Sequence, residues 1–169
     1  MDMKLIHIVG CKNDGKTTLI VELIKELKCR NLTVGTIKHS FHSCQIDRPD
    51  KDSFLHRQAG GDPSAIVAGE NLAVYFSCKK GGLYKQLAPF FDKTDIIIVE
   101  GDKKGPGQKV EVWRKEIRPK PLFFERDDIK AVITDDPIDE NLSVPVWPRK
   151  DMVKIADNIC FLAGIKIST

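Results

Sequence analysis

The fold of this chain is decided by the stretch Leu5-Ile-His-Ile-Val-Gly-Cys-Lys-Asn-Asp-Gly-Lys-Thr17. Its last eight residues, Gly10 to Thr17, match every defined position of the phosphate-binding pattern Gly-x-x-x-x-Gly-Lys-Ser/Thr. A short apolar run precedes the pattern, and from Thr17 to Arg30 apolar residues recur at helical spacing. Because a P-loop works only between a strand and a helix, this context predicts an α/β protein that binds a nucleoside triphosphate.

The residues of the loop form the first group of predicted nucleotide-binding residues. Their backbone N–H groups should hold phosphate oxygens, helped by the positive end of the following helix. Lys16 should reach the β- and γ-phosphates, and the Thr17 hydroxyl should coordinate Mg²⁺. The group comprises Gly10, Cys11, Lys12, Asn13, Asp14, Gly15, Lys16, Thr17 and Thr18.

Length and composition are those of an ordinary globular domain. The 169 residues, 41% of them hydrophobic and 30% charged, suit a single domain spanning residues 1–169. The net charge of +3 is too small to indicate nucleic acid as a partner. The five cysteines form no Cys-x-x-Cys pair, which favours reduced thiols, and no signal peptide or apolar stretch of membrane-spanning length is evident. We therefore expect a cytoplasmic protein with neither a nucleic-acid nor a membrane partner.

Strands and helices are predicted to alternate along the chain. Besides the first strand at 4–9 and the helix at 17–30, strands are predicted at 32–37, 65–67, 73–76, 95–99, 110–113, 131–134 and 144–147, and helices at 52–59, 83–91 and 152–159. This alternation predicts an α/β fold of the P-loop NTPase type, with three α/β/α layers and a mainly parallel central sheet.

A second nucleotide signal is the sequence Asp95-Ile-Ile-Ile-Val-Glu100-Gly101. P-loop enzymes place an acidic residue beside magnesium at the end of an apolar strand. Glu100 is predicted at the carboxyl end of its strand, where open α/β sheets bind ligands. Asp95 lies at the other end of the strand, five residues before Glu100, and a strand rises about 3.3 Å per residue. It would therefore lie far from the phosphates and is interpreted as a surface residue. Glu100 is therefore the predicted magnesium ligand, although an acid that merely ends a strand is the alternative.

The polar segment from Lys38 to Ser53 is predicted to be a long surface loop that begins at the P-loop edge of the sheet. Lys38 is one of several basic residues here that could meet an anionic ligand. Asp47 or Asp52 could help to position magnesium or water. A solvated loop without such a role is the alternative.

The same segment contains residues of types suited to zinc, namely His39, His42 and Cys44. Their spacing is loose and no fourth ligand is evident.

Asp135 is the candidate for recognition of the base. Thr134-Asp135-Asp136 follows the predicted strand at 131–134. One carboxylate can accept hydrogen bonds from both N1–H and the 2-amino group of guanine. A turn formed by Asp-Asp-Pro is the alternative, since the Asn-Lys-x-Asp signature of many GTPases is absent.

Taken together, these motifs resemble those of the molybdopterin-guanine dinucleotide biosynthesis protein B family, usually called MobB. The resemblance covers most of residues 4–136. It rests on the P-loop, Lys38-His39 with His42, Asp47-x-Pro49-x-Lys51-Asp52-Ser53, His56 with Ala59-Gly60, Val99-Glu100-Gly101 and Lys109-x-Glu111-Val112-x-Arg114. Two residues depart from the expected pattern: Asp50 stands where glycine is expected, and Asp102 where an aromatic residue is expected.

The resemblance implies a GTP- and Mg²⁺-binding protein with slow GTPase activity, acting mainly as an adaptor. It implies a homodimer that works beside the molybdopterin guanylyltransferase, which attaches GMP to molybdopterin, and that can meet molybdopterin-bearing proteins. Lys16, Glu100 and Asp47 are the catalytic candidates. The predicted nucleotide-binding residues outside the P-loop are Lys38, His39, Gly101 and Asp135.

Two other functions share the P-loop. A small-molecule kinase would need an arginine-rich lid, for which Arg114, Arg118 and Arg126 are candidates in surroundings without a clear helix. A metallochaperone-type GTPase would need a defined metal set, for which His39, His42 and Cys44 are the candidates.

Overall fold

The computed structural model describes residues 3–40, 47–49, 51–78, 81–138 and 142–166. The chain divides into two compact units, one of residues Met1–Ser40 with Phe90–Thr169 and one of residues Phe41–Pro89. The expectation of one domain over the whole chain stays a prediction. Within the described residues, no helix has the length and apolar character needed to cross a membrane.

The elements follow the predicted alternation. In chain order they are β1 (Leu5–Val9), α1 (Lys16–Cys29), β2 (Val34–Lys38), α2 (Asp52–Gln58), β3 (Ser64–Ala68), β4 (Asn71–Tyr75), α3 (Leu83–Leu87), a 3₁₀ turn (Ala88–Phe90), β5 (Ile96–Glu100), β6 (Gln108–Val112), a second 3₁₀ turn (Leu122–Phe124), β7 (Ile129–Ile133), β8 (Val146–Trp147) and α4 (Met152–Leu162).

The first unit is built on a six-stranded sheet in the order β2-β5-β1-β6-β7-β8, and every neighbouring pair is parallel. This confirms the predicted mainly parallel sheet. Since the strands are parallel, their carboxyl ends meet at one edge, where ligands of open α/β sheets bind. That edge carries the P-loop after β1, the residues after β6, β7 and β8, and Lys38 aligned with Glu100 at the ends of β2 and β5.

The central strands of the first unit are apolar in sequence because they are buried in its core. β1 is buried along its whole length, and β5 is buried except at its last residue, Glu100. On one face, α1 and α4 pack against the sheet through a cluster that includes Leu19, Leu23 and Ile155. On the other face, a smaller cluster gathers Trp113 and the apolar residues of the second 3₁₀ turn. Strands buried on both faces are typical of parallel sheets.

The second unit contains α2, α3 and a separate two-stranded sheet. β3 and β4 pair antiparallel around a turn at Gly69 and Glu70, where Gly69 has a φ of +57° that glycine adopts without strain. These strands are largely exposed, with Val67 and Leu72 among the most exposed apolar side chains. The hairpin therefore differs in kind from the buried strands of the first unit.

Predicted and observed boundaries agree to within a few residues. The strand predicted at 110–113 begins already at Gln108, which pairs with Ile6, and ends at Val112. The helix predicted to end at Ile159 continues to Leu162, because Cys160 is also buried against the sheet.

Candidate functional site

The P-loop has the backbone that its glycines predict. Gly15 precedes α1 with φ +81° and ψ +25°, in the left-handed region that glycine adopts without strain. A Cβ at Gly10, where φ is +151°, would lie 2.5 Å from the carbonyl oxygen of Val112. Both glycines of the pattern are thus needed, one for conformation and the other for close packing against β6.

Hydrogen bonds within the loop involve the side chains of Asp14 and Lys16. The Cys11 backbone N–H donates to Asp14 Oδ2, and Lys16 Nζ donates to the Cys11 carbonyl oxygen. Asp14 is only 1% exposed, and burial raises the pKa of its carboxyl, while the Cys11 N–H and the charge of Lys16 act in the opposite direction. An acid is thus buried within a loop whose pattern predicts phosphate binding.

Three predicted residues meet at one side of the loop, which we call the metal side: Thr17, Lys38 and Glu100. Thr17 Oγ1 donates to Glu100 Oε1 at 3.0 Å, and Lys38 Nζ lies 2.7 Å from the same oxygen. Glu100 is partly exposed, so its carboxylate is accessible from the edge of the sheet. A hydroxyl and a carboxylate oxygen are the ligand types that Mg²⁺ prefers, so this cluster fits the predicted metal.

His39 and Gly101 lie directly beside Glu100. The His39 backbone N–H donates to the Glu100 carbonyl oxygen at 3.0 Å, and the Gly101 N–H donates to Ile8 at 2.9 Å. Gly101 has φ +85°, and a Cβ on it would lie 3.1 Å from the His39 carbonyl oxygen. These contacts fix the ends of β2 and β5 together and so hold Lys38 and Glu100 in register.

Asp135 lies at the other side of the loop, after β7. Its Oδ1 accepts a hydrogen bond from the Arg149 backbone N–H at 2.9 Å. It borders a cavity of about 240 Å³ at the carboxyl edge of the sheet. The cavity is lined by Trp113, Arg114, Glu116, Thr134, Asp135, Asp136 and Arg149.

Two arginines approach the P-loop on this side, which we call the arginine side: Arg149 and Arg114. Arg149 Nη2 donates to the Gly15 carbonyl oxygen at 2.9 Å. A Cβ at Gly15 would lie 3.0 Å from Arg149 Nη2 and 3.2 Å from Arg114 Nη2. In the sequence, Arg114 stands out as the last residue of the Lys109-x-Glu111-Val112-x-Arg114 motif and as a lid candidate, whereas Arg149 belongs to no motif. The signal that could have found both is their place just after β6 and β8, at the same sheet edge as the P-loop.

Asp47 and Asp52 lie in the second unit. Asp47 is buried, accepts hydrogen bonds from Arg48 N at 2.9 Å and Ser53 Oγ at 3.2 Å, and pairs with Arg57 Nε at 3.5 Å. These contacts hold the start of α2, which begins at Asp52. The catalytic assignment of Asp47 stays a prediction.

The predicted zinc set cannot be assembled from the described part of the chain, because His42 and Cys44 lie outside it, as does Asp50. Within that part, no group of three or more His, Cys, Asp or Glu residues is arranged to hold a metal ion. Asp102 is described: it has a φ of +50° and is buried.

A parallel sheet with a P-loop between β1 and α1 defines an α/β fold of the P-loop NTPase type. Solved structures agree with this class. The crystal structure of Bacillus subtilis MobB has a TM-score of 0.71 at 23% identity, and covers 97% of this chain and 99% of its own. A MobB homologue from Bacillus stearothermophilus has a TM-score of 0.69 at 22% identity, over 96% and 99% of the two chains.

Sequence comparison narrows the class to a family. The family model for molybdopterin guanine dinucleotide synthesis protein B matches residues 5–135. A molybdopterin-guanine dinucleotide biosynthesis adapter protein of Haemophilus influenzae is 36% identical over 80% of this chain and 76% of the relative. One of the same name from Escherichia coli is 33% identical over 90% and 89%. The chain belongs to the MobB family, which confirms the resemblance drawn from its motifs.

Proposed function

We propose that this chain binds GTP with Mg²⁺ at the P-loop and assists the attachment of GMP to molybdopterin as an adaptor. The observation that carries the proposal is the metal side, where Thr17 and Lys38 both contact Glu100 beside a complete phosphate-binding motif. Membership of a family whose relatives are named molybdopterin-guanine dinucleotide biosynthesis adapter proteins supports the pathway.

The proposed chemistry is slow hydrolysis of the triphosphate. Lys16 neutralises charge on the β- and γ-phosphates, while Thr17 and Glu100 hold the magnesium that neutralises the rest. Asp47 remains the predicted residue for positioning water. Catalysis that relies on positioning and charge neutralisation alone is slow in P-loop proteins until a partner adds to the site. Slow turnover therefore accords with an adaptor role.

The base and the partners belong to the same proposal. Asp135 borders the cavity on the arginine side, so its carboxylate is the proposed acceptor for N1–H and the 2-amino group of guanine. The proposed partners are the molybdopterin guanylyltransferase, a second copy of this chain in a homodimer, and proteins that carry molybdopterin.

Lys16→Ala tests whether the nucleotide binds at the P-loop, which both the adaptor and the kinase hypotheses require. Removal of the ammonium group should weaken GTP binding roughly 100-fold or more, because a charge-assisted contact to phosphate is lost. Isothermal titration calorimetry with GTP and ATP, each with Mg²⁺, measures this and also gives the base preference. Lys25→Ala is the matched control, because Lys25 is an exposed cation on the same helix. Unchanged affinity in Lys16→Ala would place the nucleotide elsewhere.

The pathway is tested in a reconstituted reaction that contains the guanylyltransferase, molybdopterin and a GMP donor. The wild-type chain should raise the yield of guanylylated molybdopterin, and Lys16→Ala should raise it less. If neither protein changes the yield, the adaptor role is wrong. Transfer of phosphate to a small acceptor would instead favour the kinase.

A further inference from the structure

Arg149 joins two parts of the first unit that the sequence places far apart. It lies after β8, and its backbone N–H donates to Asp135 Oδ1 at 2.9 Å. Its guanidinium Nη2 donates to the Gly15 carbonyl oxygen at 2.9 Å. The side chain therefore extends from the cavity of the arginine side to the residue that precedes α1.

The guanidinium of Arg149 retains hydrogen-bonding capacity. Its Nη1 is buried and has no hydrogen-bond partner among the described residues. A buried donor without a partner costs free energy, so a ligand oxygen that reaches it gains a bond without breaking another. A guanidinium offers its donors in a planar fork, which suits the oxygens of a phosphate.

A second cation lies against the same point. Arg114 Nη2 and Arg149 Nη2 are 3.2 Å and 3.0 Å from the position of a Cβ built on Gly15, so these two nitrogens are at most roughly 6 Å apart, a separation that two oxygens of one phosphate can bridge. Burial lowers the pKa of Arg149, and the neighbouring charge of Arg114 lowers it further. Arg114 has a partner of its own in Glu116 at 3.3 Å, but that pair is largely exposed and weak. The two guanidinium groups are thus poised for an anion.

We infer that Arg149, assisted by Arg114, binds the phosphate nearest to the ribose of the nucleotide. The inference rests on the proposed function, because it takes the P-loop to hold the outer phosphates and Asp135 to meet the base. Gly15 lies between those two regions, and the phosphate that links them is the α-phosphate. Arg149 is therefore a binding residue for nucleoside mono-, di- and triphosphates alike, and it does not act on the transferred phosphoryl group.

The experiment compares GDP with GTP on Arg149→Ala, with Lys150→Ala as the control. Lys150 is the next residue, is exposed and also carries one positive charge. Affinities are measured by calorimetry with Mg²⁺, and hydrolysis is followed by single-turnover phosphate release. Arg149→Ala should weaken GDP and GTP binding by the same factor, roughly 10- to 100-fold, with an unchanged rate of the chemical step. Lys150→Ala should change neither quantity.

Arg149→Lys separates the effect of charge from that of geometry, because an ammonium group keeps the positive charge but does not have the planar shape of the guanidinium. It should recover only part of the affinity, because the compact ammonium group has one nitrogen and lacks the planar fork whose separate nitrogens reach the Gly15 carbonyl oxygen and a phosphate oxygen. A loss confined to GTP, or a slower chemical step, would overturn the inference in favour of a γ-phosphate contact. A lowered melting temperature with unchanged affinity would also overturn it, since Arg149 would then only brace the loop.

The two proposals fail in different ways. If the wild-type protein binds neither GTP nor ATP, or if Lys16→Ala binds as the wild type does, the proposed nucleotide site is wrong. If the wild type binds, Lys16→Ala does not, and Arg149→Ala matches Lys150→Ala, only the inference about Arg149 is wrong.

Discussion

The two sides of the P-loop differ in how their charges are balanced. On the metal side, the carboxylate of Glu100 is matched by Lys38 and by the Thr17 hydroxyl. On the arginine side, Arg149 and Arg114 approach one point, and a buried donor of Arg149 has no partner among the described residues. One side therefore has its donors and acceptors matched within the protein, whereas the other gains most from an added anion.

The difference has a structural origin. The metal side follows from the parallel register of β2 and β5, which aligns Lys38 with Glu100. The arginine side is built from the segments after β6 and β8, and long side chains cross from them to the P-loop. Backbone register positions the first set of groups, and side-chain conformation positions the second.

The largest effect is expected from Glu100→Gln, which replaces the carboxylate of the metal side by a neutral amide. A neutral amide oxygen is a poorer magnesium ligand than a carboxylate, and Lys38 loses the negative charge with which it pairs. Hydrolysis of GTP should fall about 100-fold or more, and the Mg²⁺ concentration needed for binding should rise. Phosphate release measured across a magnesium titration checks this.

Asp95→Asn serves as its control, because Asp95 carries the same charge just before β5 and accepts a hydrogen bond from Thr33 N at 2.7 Å. If Glu100→Gln kept the magnesium dependence of the wild type, Glu100 would not be a ligand of the proposed magnesium ion.

An intermediate effect is expected for Asp135→Asn on the arginine side. The amide keeps an oxygen for the Arg149 N–H but cannot accept two hydrogen bonds from guanine with two oxygens. The ratio of GTP to ATP affinity should fall roughly tenfold or more. Competition binding gives that ratio, and Asp127→Asn is the control, because Asp127 is exposed and is not among the residues that line the cavity. Equal losses for GTP and ATP would mean that Asp135 acts only through Arg149.

The smallest expected effect is a gain, in Asp14→Asn. Under the proposed function, the buried carboxylate of Asp14 would repel the phosphates of a nucleotide bound at the loop, so its removal should raise GTP affinity about three- to tenfold at neutral pH. Burial raises the pKa of Asp14, so lower pH neutralises the wild-type carboxyl and should make the two proteins alike.

Calorimetry over a pH series measures the difference between the two proteins. Glu70→Gln, in the exposed β3–β4 turn, should track the wild type throughout. A constant difference between wild type and Asp14→Asn across the series would contradict this account.

The sequence predicts those parts of the site whose residues are adjacent in the chain. The strand, P-loop and helix at 5–29 are one local unit, and each of their signals is complete within it. Glu100 was placed correctly at the end of β5, because an apolar run that stops at an acid is also a local pattern. In both cases most of the buried strand residues are apolar, so the sequence shows each strand as a largely apolar run.

The rest depends on contacts between distant residues. Thr17 meets Glu100 across 83 positions, and that meeting requires β1 and β5 to be neighbours, which no local pattern states. Arg149 reaches Gly15 across 134 positions through the conformation of one side chain. The resemblance stopped at residue 136, so the segment that supplies Arg149 had no motif to guide its interpretation.

The double attachment of Arg149 has a thermodynamic consequence. Its amide holds the loop of Asp135, and its side chain holds the residue before α1. When a ligand orders one of these loops, the conformational entropy that is lost on ordering the other becomes smaller, because Arg149 connects them. Under the proposed function, the base and the phosphates are then coupled, and the coupling is reciprocal: whatever factor the triphosphate adds to recognition of guanine, guanine must add to retention of the triphosphate.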